Sequence, residues 1–407
     1  MIKCRMCQSE KRFIFLDLGF TPLADNFLSK EELNLSETYY PLNVFMCKDC
    51  NLIQLGHVVS PKLMYHKNYL YESSITKIGN DHFTSIGKIL IKRFNLNKNS
   101  LVIDVGSNVG VLLAGFRSQG IKELGIEPSQ TIANIAIKNG INTIIDFFST
   151  RLASIILKEY GHASIITATN VFAHIDNLDD FTKAADFLLT KEGVLVIEAP
   201  YLPNLLDNLE YDTIYHEHLS YLSLKPMVEF FKKYGMEIFD VEKYDIHGGT
   251  LRYYVGRKNI HTVSDKVDET LNNEKKSLIY SEEYLEKFAR RVFQHKKELF
   301  DMLYNLKKNG KKIVAISSPA KGNTLLNYCN IGNNLIDYIT ERSSLKIGKF
   351  TPGTHIPIYS DKKLLEDVPD YALILAWNFA DEIIKNNLEY RKKGGKFIIP
   401  IPKPCIL

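Results

Sequence analysis

The sequence predicts an α/β protein built in three units, and three observations carry that prediction. From residue 101 onward, short apolar runs (LVIDV, ELGIEP, NTIIDF, ASIITATNVF, GVLVIEAP) alternate with amphipathic stretches such as SQTIANIAIKNG and NLDDFTKAADFLLTKEG. A mainly parallel sheet covered by helices produces that alternation. The first 50 residues carry two CxxC pairs in a short, strand-like segment. Residues 262–309 are charged, contain no Pro or Gly, and read as a helical connection to a second alternation: KKIVAISS, NLIDYITE, YALILAW, GKFIIPIP. The expected units are 1–65, 66–261 and 262–407. The central one opens with helix, because ITKIGNDHFTSIGKILIKRF spaces its apolar residues at helical intervals.

Composition excludes several function classes. The 407 residues are 45% hydrophobic and 24% charged, an ordinary globular balance. The net charge of +4 is small and evenly spread, which argues against nucleic acid. The N-terminal MIKCRMCQSEKRFIF lacks the apolar core of a signal peptide, and no stretch is long and apolar enough to cross a membrane. The protein reads as cytoplasmic. The sequence leaves its oligomeric state open, with a monomer as the expectation.

Cysteine usage agrees with a reducing compartment. Cys4-Arg-Met-Cys7 and Cys47-Lys-Asp-Cys50 are two knuckles whose spacers let both thiolates reach one ion, while Cys329 and Cys405 stand alone. Four thiolates make the closed tetrahedral set of a structural zinc ion, with no position left for water. The 39 residues between Cys7 and Cys47 exceed a DNA-reading finger and suit a small zinc-stapled domain.

In LVIDVGSNVGVLL, Asp104, Gly106 and Gly110 end a buried strand just before a helix, where the backbone can pass close to a ligand. The spacing is GxxxG, so the dinucleotide fingerprint GxGxxG is absent. The next strand ends in Glu127, and a carboxylate there can accept from both hydroxyls of a ribose. Asp146 and Phe147 follow the third strand and are expected to meet an adenine ring. The pattern resembles a class I S-adenosylmethionine methyltransferase, with Asn108 and Asn170 completing the cofactor set. An ordinary βα turn that binds NAD or nothing is the alternative.

The densest chemistry lies in YHEHLSYLS, which begins at Tyr215. The order CxxC…CxxC, DVGSNVG, NVFAHI, YDTIYHEHLSYLS, HGGTLR, PAKGNTLLN and GKFTPGTHIPI resembles the sugar C-methyltransferases over essentially the full chain. These act on nucleotide-linked 4-keto deoxysugars. The sequence departs from the family's ExGxNDG loop at Asp104, which keeps the charge, and at Val109, which removes a polar group.

The resemblance implies a zinc-binding N-terminal domain, a central Rossmann-like class I methyltransferase domain and a C-terminal Rossmann-like domain. A nucleotide-diphosphate 4-keto sugar would sit between the last two. Joining a sulfonium methyl to carbon requires a carbanion, hence a base for the α-proton and a donor for the enolate oxygen. The resemblance implies that His218 is the base at C3, with Glu217 and Tyr215 beside it. It also implies that His174 would stabilise the C4 oxygen and that a tyrosine of NYLYESS would enter the site, Tyr69 ahead of Tyr71. His216 reads as a structural neighbour. A metal site on His216 and His218 is a weaker alternative. So are O- or N-methylation and a non-catalytic, methyltransferase-like binding protein.

Substrate contacts are expected at His247, Gly248 and Arg252 of HGGTLR, where paired glycines allow close approach. Arg252 serves equally for an anion or a structural salt bridge. Lys321 and Asn323 of AKGN begin a helix that can hold a diphosphate, and Arg342 and Lys346 add positive charge. Glu198 reads as a strand-end acid with either a catalytic or a capping role. Trp377, the single tryptophan, reads as core.

Overall fold

The computed structural model of the protein describes residues 3–65, 77–246 and 248–407. Tyr69, Tyr71 and His247 lie outside the described residues. The strands run β1 (Arg12–Thr21), β2 (Tyr40–Cys47), β3 (Ile53–Leu55), β4 (Leu101–Val105), β5 (Lys122–Ile126) and β6 (Thr143–Ile144). They continue with β7 (Ala163–Thr169), β8 (Leu189–Pro200), β9 (Ser220–Tyr221), β10 (Met236–Tyr244) and β11 (Thr250–Arg257). The last six are β12 (Ile313–Ile316), β13 (Ile339–Glu341), β14 (Ile358–Ser360), β15 (Tyr371–Ile374), β16 (Lys396–Ile399) and β17 (Cys405–Ile406).

The central sheet has the order β10-β11-β8-β7-β4-β5-β6. Strands β4 to β8 are parallel, and β11 runs antiparallel to both of its neighbours. All five residues of β4 are buried, as a strand covered on both faces must be. The chain moves outward from β4 through β5 to β6, then returns to place β7 on the other side of β4. That reversal opens a crevice at the carboxyl ends of β4 and β7, where ligands of open α/β sheets bind.

The C-terminal sheet, β14-β13-β12-β15-β16-β17, repeats the device, with its reversal between β12 and β15. The charged stretch between the two sheets forms two helices, Asp265–Lys276 and Glu282–Lys308. The longer one buries Leu285, Phe288, Val292, Leu299 and Leu303 along one face.

The N-terminal sheet has the order β1-β2-β3-β9. Its fourth strand therefore comes from the YHEHLSYLS segment, with Ser220 opposite Gln54 and Tyr221 opposite Ile53. A stretch that reads as part of the central unit is thus built into the cysteine-bearing one. Among the described residues no helix is long and apolar enough to cross a membrane.

Candidate active site

The loop after β4 turns through Gly106 and Asn108, both at positive φ. Glycine at 106 and 110 answers to packing inside the protein. A Cβ on Gly106 would fall 2.3 Å from Val171 Cγ2, and one on Gly110 would fall 2.7 Å from Ile141 Cγ1. Glu127, at the end of β5, accepts from the backbone N–H of Asn108 (3.1 Å) and of Ser129 (2.8 Å). It therefore ties two loops together while its carboxylate keeps further lone pairs. Asp104 accepts from the Thr167 hydroxyl at 2.6 Å, and burial pushes it up to about 7. Asp146 pairs with Arg151, and Phe147 packs edge-on to Tyr65 with ring centroids 6.4 Å apart.

Ser107, Ser129 and Asn170 sit at the ends of β4, β5 and β7, and each holds a buried polar oxygen with no hydrogen-bond partner among the described residues. A buried polar atom left unbonded costs about 1–3 kcal/mol. Three of them at one crevice fit a polar ligand such as S-adenosylmethionine.

The acid–base groups gather beside this crevice. His174 lies on a 3-10 turn, Phe172–His174, after β7. Its ring centroid is 4.9 Å from that of His218, and the Tyr215 ring lies 4.0 Å from His218, tilted by 36°. His218 Nδ1 is 2.7 Å from the Thr213 carbonyl oxygen. A carbonyl can only accept, so Nδ1 carries a proton. Loss of hydration lowers His174 to about 4, so its imidazole is neutral.

Tyr65, which no motif marks in the sequence, reaches His174 Nδ1 through its hydroxyl at 3.1 Å. Burial and the negative charges of Glu217, Glu127 and Asp25 push Tyr65 well above the usual tyrosine range. It therefore stays protonated. His216 faces away from this group. It is buried, its Nε2 is 3.3 Å from the Tyr40 carbonyl oxygen, and burial lowers it to about 4.

The residues expected to hold the substrate are spread more widely. Gly248 lies against Glu210, since a Cβ there would fall 2.3 Å from either carboxylate oxygen, and Gly249 lies against Asn204. Close approach at the paired glycines thus serves the protein's own side chains. Lys321 Nζ donates to Asn378 Oδ1 at 3.0 Å, and its charge acts on Asp212 and Glu210 across the domain boundary. Burial raises Glu210 to about 7 and Asp212 to about 6.

Asn323 donates instead to the Ala24 carbonyl oxygen (2.7 Å), Lys346 to the Ser318 carbonyl oxygen (2.8 Å), and Arg342 to Asp361 at the surface. Of the two roles open to Arg252, the structural one is seen. Its guanidinium is fully buried and donates to Glu198 at 2.8 Å. His82 Nε2 meets the other Glu198 oxygen at 2.6 Å. Trp377 corrects the core reading: it is half-buried, and its Nε1–H donates to Asp212 at 2.7 Å.

The four cysteine sulfurs lie within 4.8 Å of one another, and no second cluster of three or more potential ligands occurs among the described residues. Gln54 donates to Cys4 Sγ at 3.1 Å. Cys4 is drawn down to about 5 by the Cys50 thiol while Cys50 is driven up, so the four ionise together only around a cation. The set fits zinc, and the closed shell gives it a structural role.

Comparison with known proteins agrees with this geometry. A zinc-binding domain model matches residues 4–65, a methyltransferase domain model residues 82–241, and a C-methyltransferase C-terminal domain model residues 245–402. C-methyltransferase NovU of Streptomyces niveus is 34% identical over 406 residues, covering 100% of this chain and 96% of its own. The chain belongs to the C-methyltransferase family. It is an S-adenosylmethionine-dependent C-methyltransferase with a zinc-binding N-terminal domain, so the O-methyl, N-methyl and non-catalytic alternatives fall away. Among solved structures, magnesium protoporphyrin IX methyltransferase of Synechocystis PCC 6803 with bound SAH is 14% identical. The TM-score is 0.37, over 46% of this chain and 90% of that one. A methyltransferase of Clostridium acetobutylicum is 15% identical with a TM-score of 0.35, over 44% of this chain and 92% of that one.

Proposed function

We propose that this C-methyltransferase acts at C3 of a nucleotide-linked 4-keto deoxysugar through an enolate, with His218 as the base. The observation that carries the reading is the pair of imidazoles with centroids 4.9 Å apart, each tied to a different partner. His218 donates from Nδ1 to Thr213, so Nε2 is the nitrogen that would take the C3 proton. The Tyr65 hydroxyl lies 3.1 Å from His174 Nδ1, and with Tyr65 as donor there the His174 proton would sit on Nε2, facing the forming C4 oxyanion. A neutral imidazole does this better than a charged one, because its proton stays with it across the working pH range. S-adenosylmethionine supplies the electrophilic methyl group. Ser107, Ser129, Asn170 and Glu127 would hold it. Lys321, between the two α/β domains, suits the diphosphate of the sugar carrier.

The reading is tested without the methyl donor. In D2O, His218 should exchange the C3 hydrogen of a thymidine-diphosphate 4-keto-6-deoxy sugar for deuterium. Adding S-adenosylmethionine should then give a product heavier by one CH2. His218→Asn should abolish both while S-adenosylhomocysteine still binds. Absence of exchange in the unaltered enzyme, or full exchange in His218→Asn, overturns the role of His218.

A further inference from the structure

We propose that Asp212 and Trp377 are positioning residues through which the C-terminal domain sets the orientation and tautomer of His218. The proposal rests on the reading of His218 as base and extends it to residues of the C-terminal domain.

The Thr213 carbonyl that receives His218 Nδ1 belongs to the short turn Tyr211–Thr213. Bonds inside the turn hold its shape: Thr213 N–H donates to the Glu210 carbonyl oxygen, and Ile214 N–H to that of Tyr211. They do not decide where the turn points. That is set from outside, at two consecutive side chains. The Tyr211 hydroxyl meets His295 Nδ1 on the helix Glu282–Lys308 at 2.9 Å. Asp212, with no exposed surface, takes the indole N–H of Trp377 at 2.7 Å.

Trp377 follows β15, at the reversal point of the C-terminal sheet, where Lys321 also stands with its ammonium 4.9 Å from the indole ring. Beyond His218 the chain is gripped again: Leu55 N–H donates to the Leu219 carbonyl oxygen, and β9 joins the N-terminal sheet. His218 is therefore held between two anchors, one in each flanking domain. Only the first delivers the carbonyl that selects its tautomer. Backbone N–H groups of its own turn and the charge of Lys321 also act on the Asp212 carboxylate, and the Trp377 N–H is the side-chain hydrogen bond that ties it to the C-terminal domain.

The test uses full-length, zinc-loaded protein with 15N-labelled histidine. The His218 signal is assigned by its loss in His218→Asn. The unaltered protein should show His218 with its proton on Nδ1. Trp377→Phe keeps the ring beside Lys321 and removes only the N–H; Asp212→Ala removes the acceptor. Both should give a mixture of tautomers and cut C3 exchange by about 10- to 100-fold, the range that misplacement of a reacting group produces. The KM for S-adenosylmethionine should stay within about twofold, as for a step removed from cofactor binding. Asp212→Asn keeps a carbonyl acceptor for the indole and should restore the single tautomer. The double variant should be no worse than the worse single one, because both remove the same bond. Zinc content and melting temperature identify any variant that fails to fold, and Asp212→Asn against Asp212→Ala then decides. An unchanged tautomer in folded Trp377→Phe and Asp212→Ala overturns the proposal. A mixed tautomer with undiminished exchange would instead support the positioning pair and overturn the role of His218 as base.

Discussion

At the end of β5, Glu127 accepts backbone N–H groups from Asn108, in the loop after β4, and from Ser129, two residues ahead. At the end of β13, Glu341 does the same with Ser318, in the loop after β12, and with Ser343, two residues ahead. The two α/β domains share this joint, and they part in what covers it. The central joint opens onto His174, His218 and Tyr65. The C-terminal joint is covered by the N-terminal domain: Asn323 is bonded to Ala24, Lys346 lies 3.9 Å from Asp25 and over the ring of Phe27, and Leu28 bridges to Phe350. One loop plan thus opens onto a crevice in one domain and forms a domain-docking surface in the other.

Removing zinc should break the comparison most completely. Structural zinc contributes on the order of 10 kcal/mol of folding free energy. The N-terminal sheet also covers the C-terminal joint and carries β9 beyond His218. Chelation or Cys47→Ser should lower the melting temperature sharply and abolish turnover together. A chelated protein with an unaltered melting temperature would remove zinc from the structural account.

Next is Asp25→Ala, which leaves the Lys346 ammonium buried without its counter-charge. About 3 kcal/mol of stability should be lost. Urea unfolding should show the loss while S-adenosylhomocysteine affinity holds, and replacing both residues by apolar ones should recover most of it.

Glu127→Gln and Glu341→Gln sharpen the contrast. Each should cost about 1–2 kcal/mol of stability, the worth of a charged acceptor on backbone donors. Only Glu127→Gln should weaken S-adenosylhomocysteine, by about tenfold in calorimetry. Equal weakening by both would mean the two joints do not differ in function.

A last effect, confined to the interval from pH 7 to 5, concerns His216. Folding holds it near 4, while the unfolded chain titrates near 6.5. Acidification from pH 7 to 5 therefore protonates it only in the unfolded chain and lowers stability. His216→Gln lacks that titration, so the advantage of the unaltered protein in urea unfolding should shrink by about 2 kcal/mol over that interval.

Much of this was legible in the residues. Two cysteine knuckles, a glycine turn followed by a strand-end acid, and a heap of titratable groups in YHEH are local signals, because spacing along the chain alone brings their members together. Tyr65 was not legible. It is one of 22 tyrosines, and only the path of the chain brings its hydroxyl to His174. The same holds for Glu198, whose partners His82 and Arg252 lie 116 and 54 residues away in sequence. The paired glycines of HGGTLR announced a close approach but not what approaches.

By itself, then, the sequence determined the α/β alternation, the four sulfur ligands and the supply of acid–base groups, since hydrophobic period and short-range spacing act within a few residues. The tertiary structure decided that His216 is packed away against Tyr40. It also decided which carbonyl holds His218 in place and which of two matching joints stays open. Those choices depend on the order of strands in three sheets and on the docking of one domain against another, where residues separated by hundreds of positions compete for the same few ångströms.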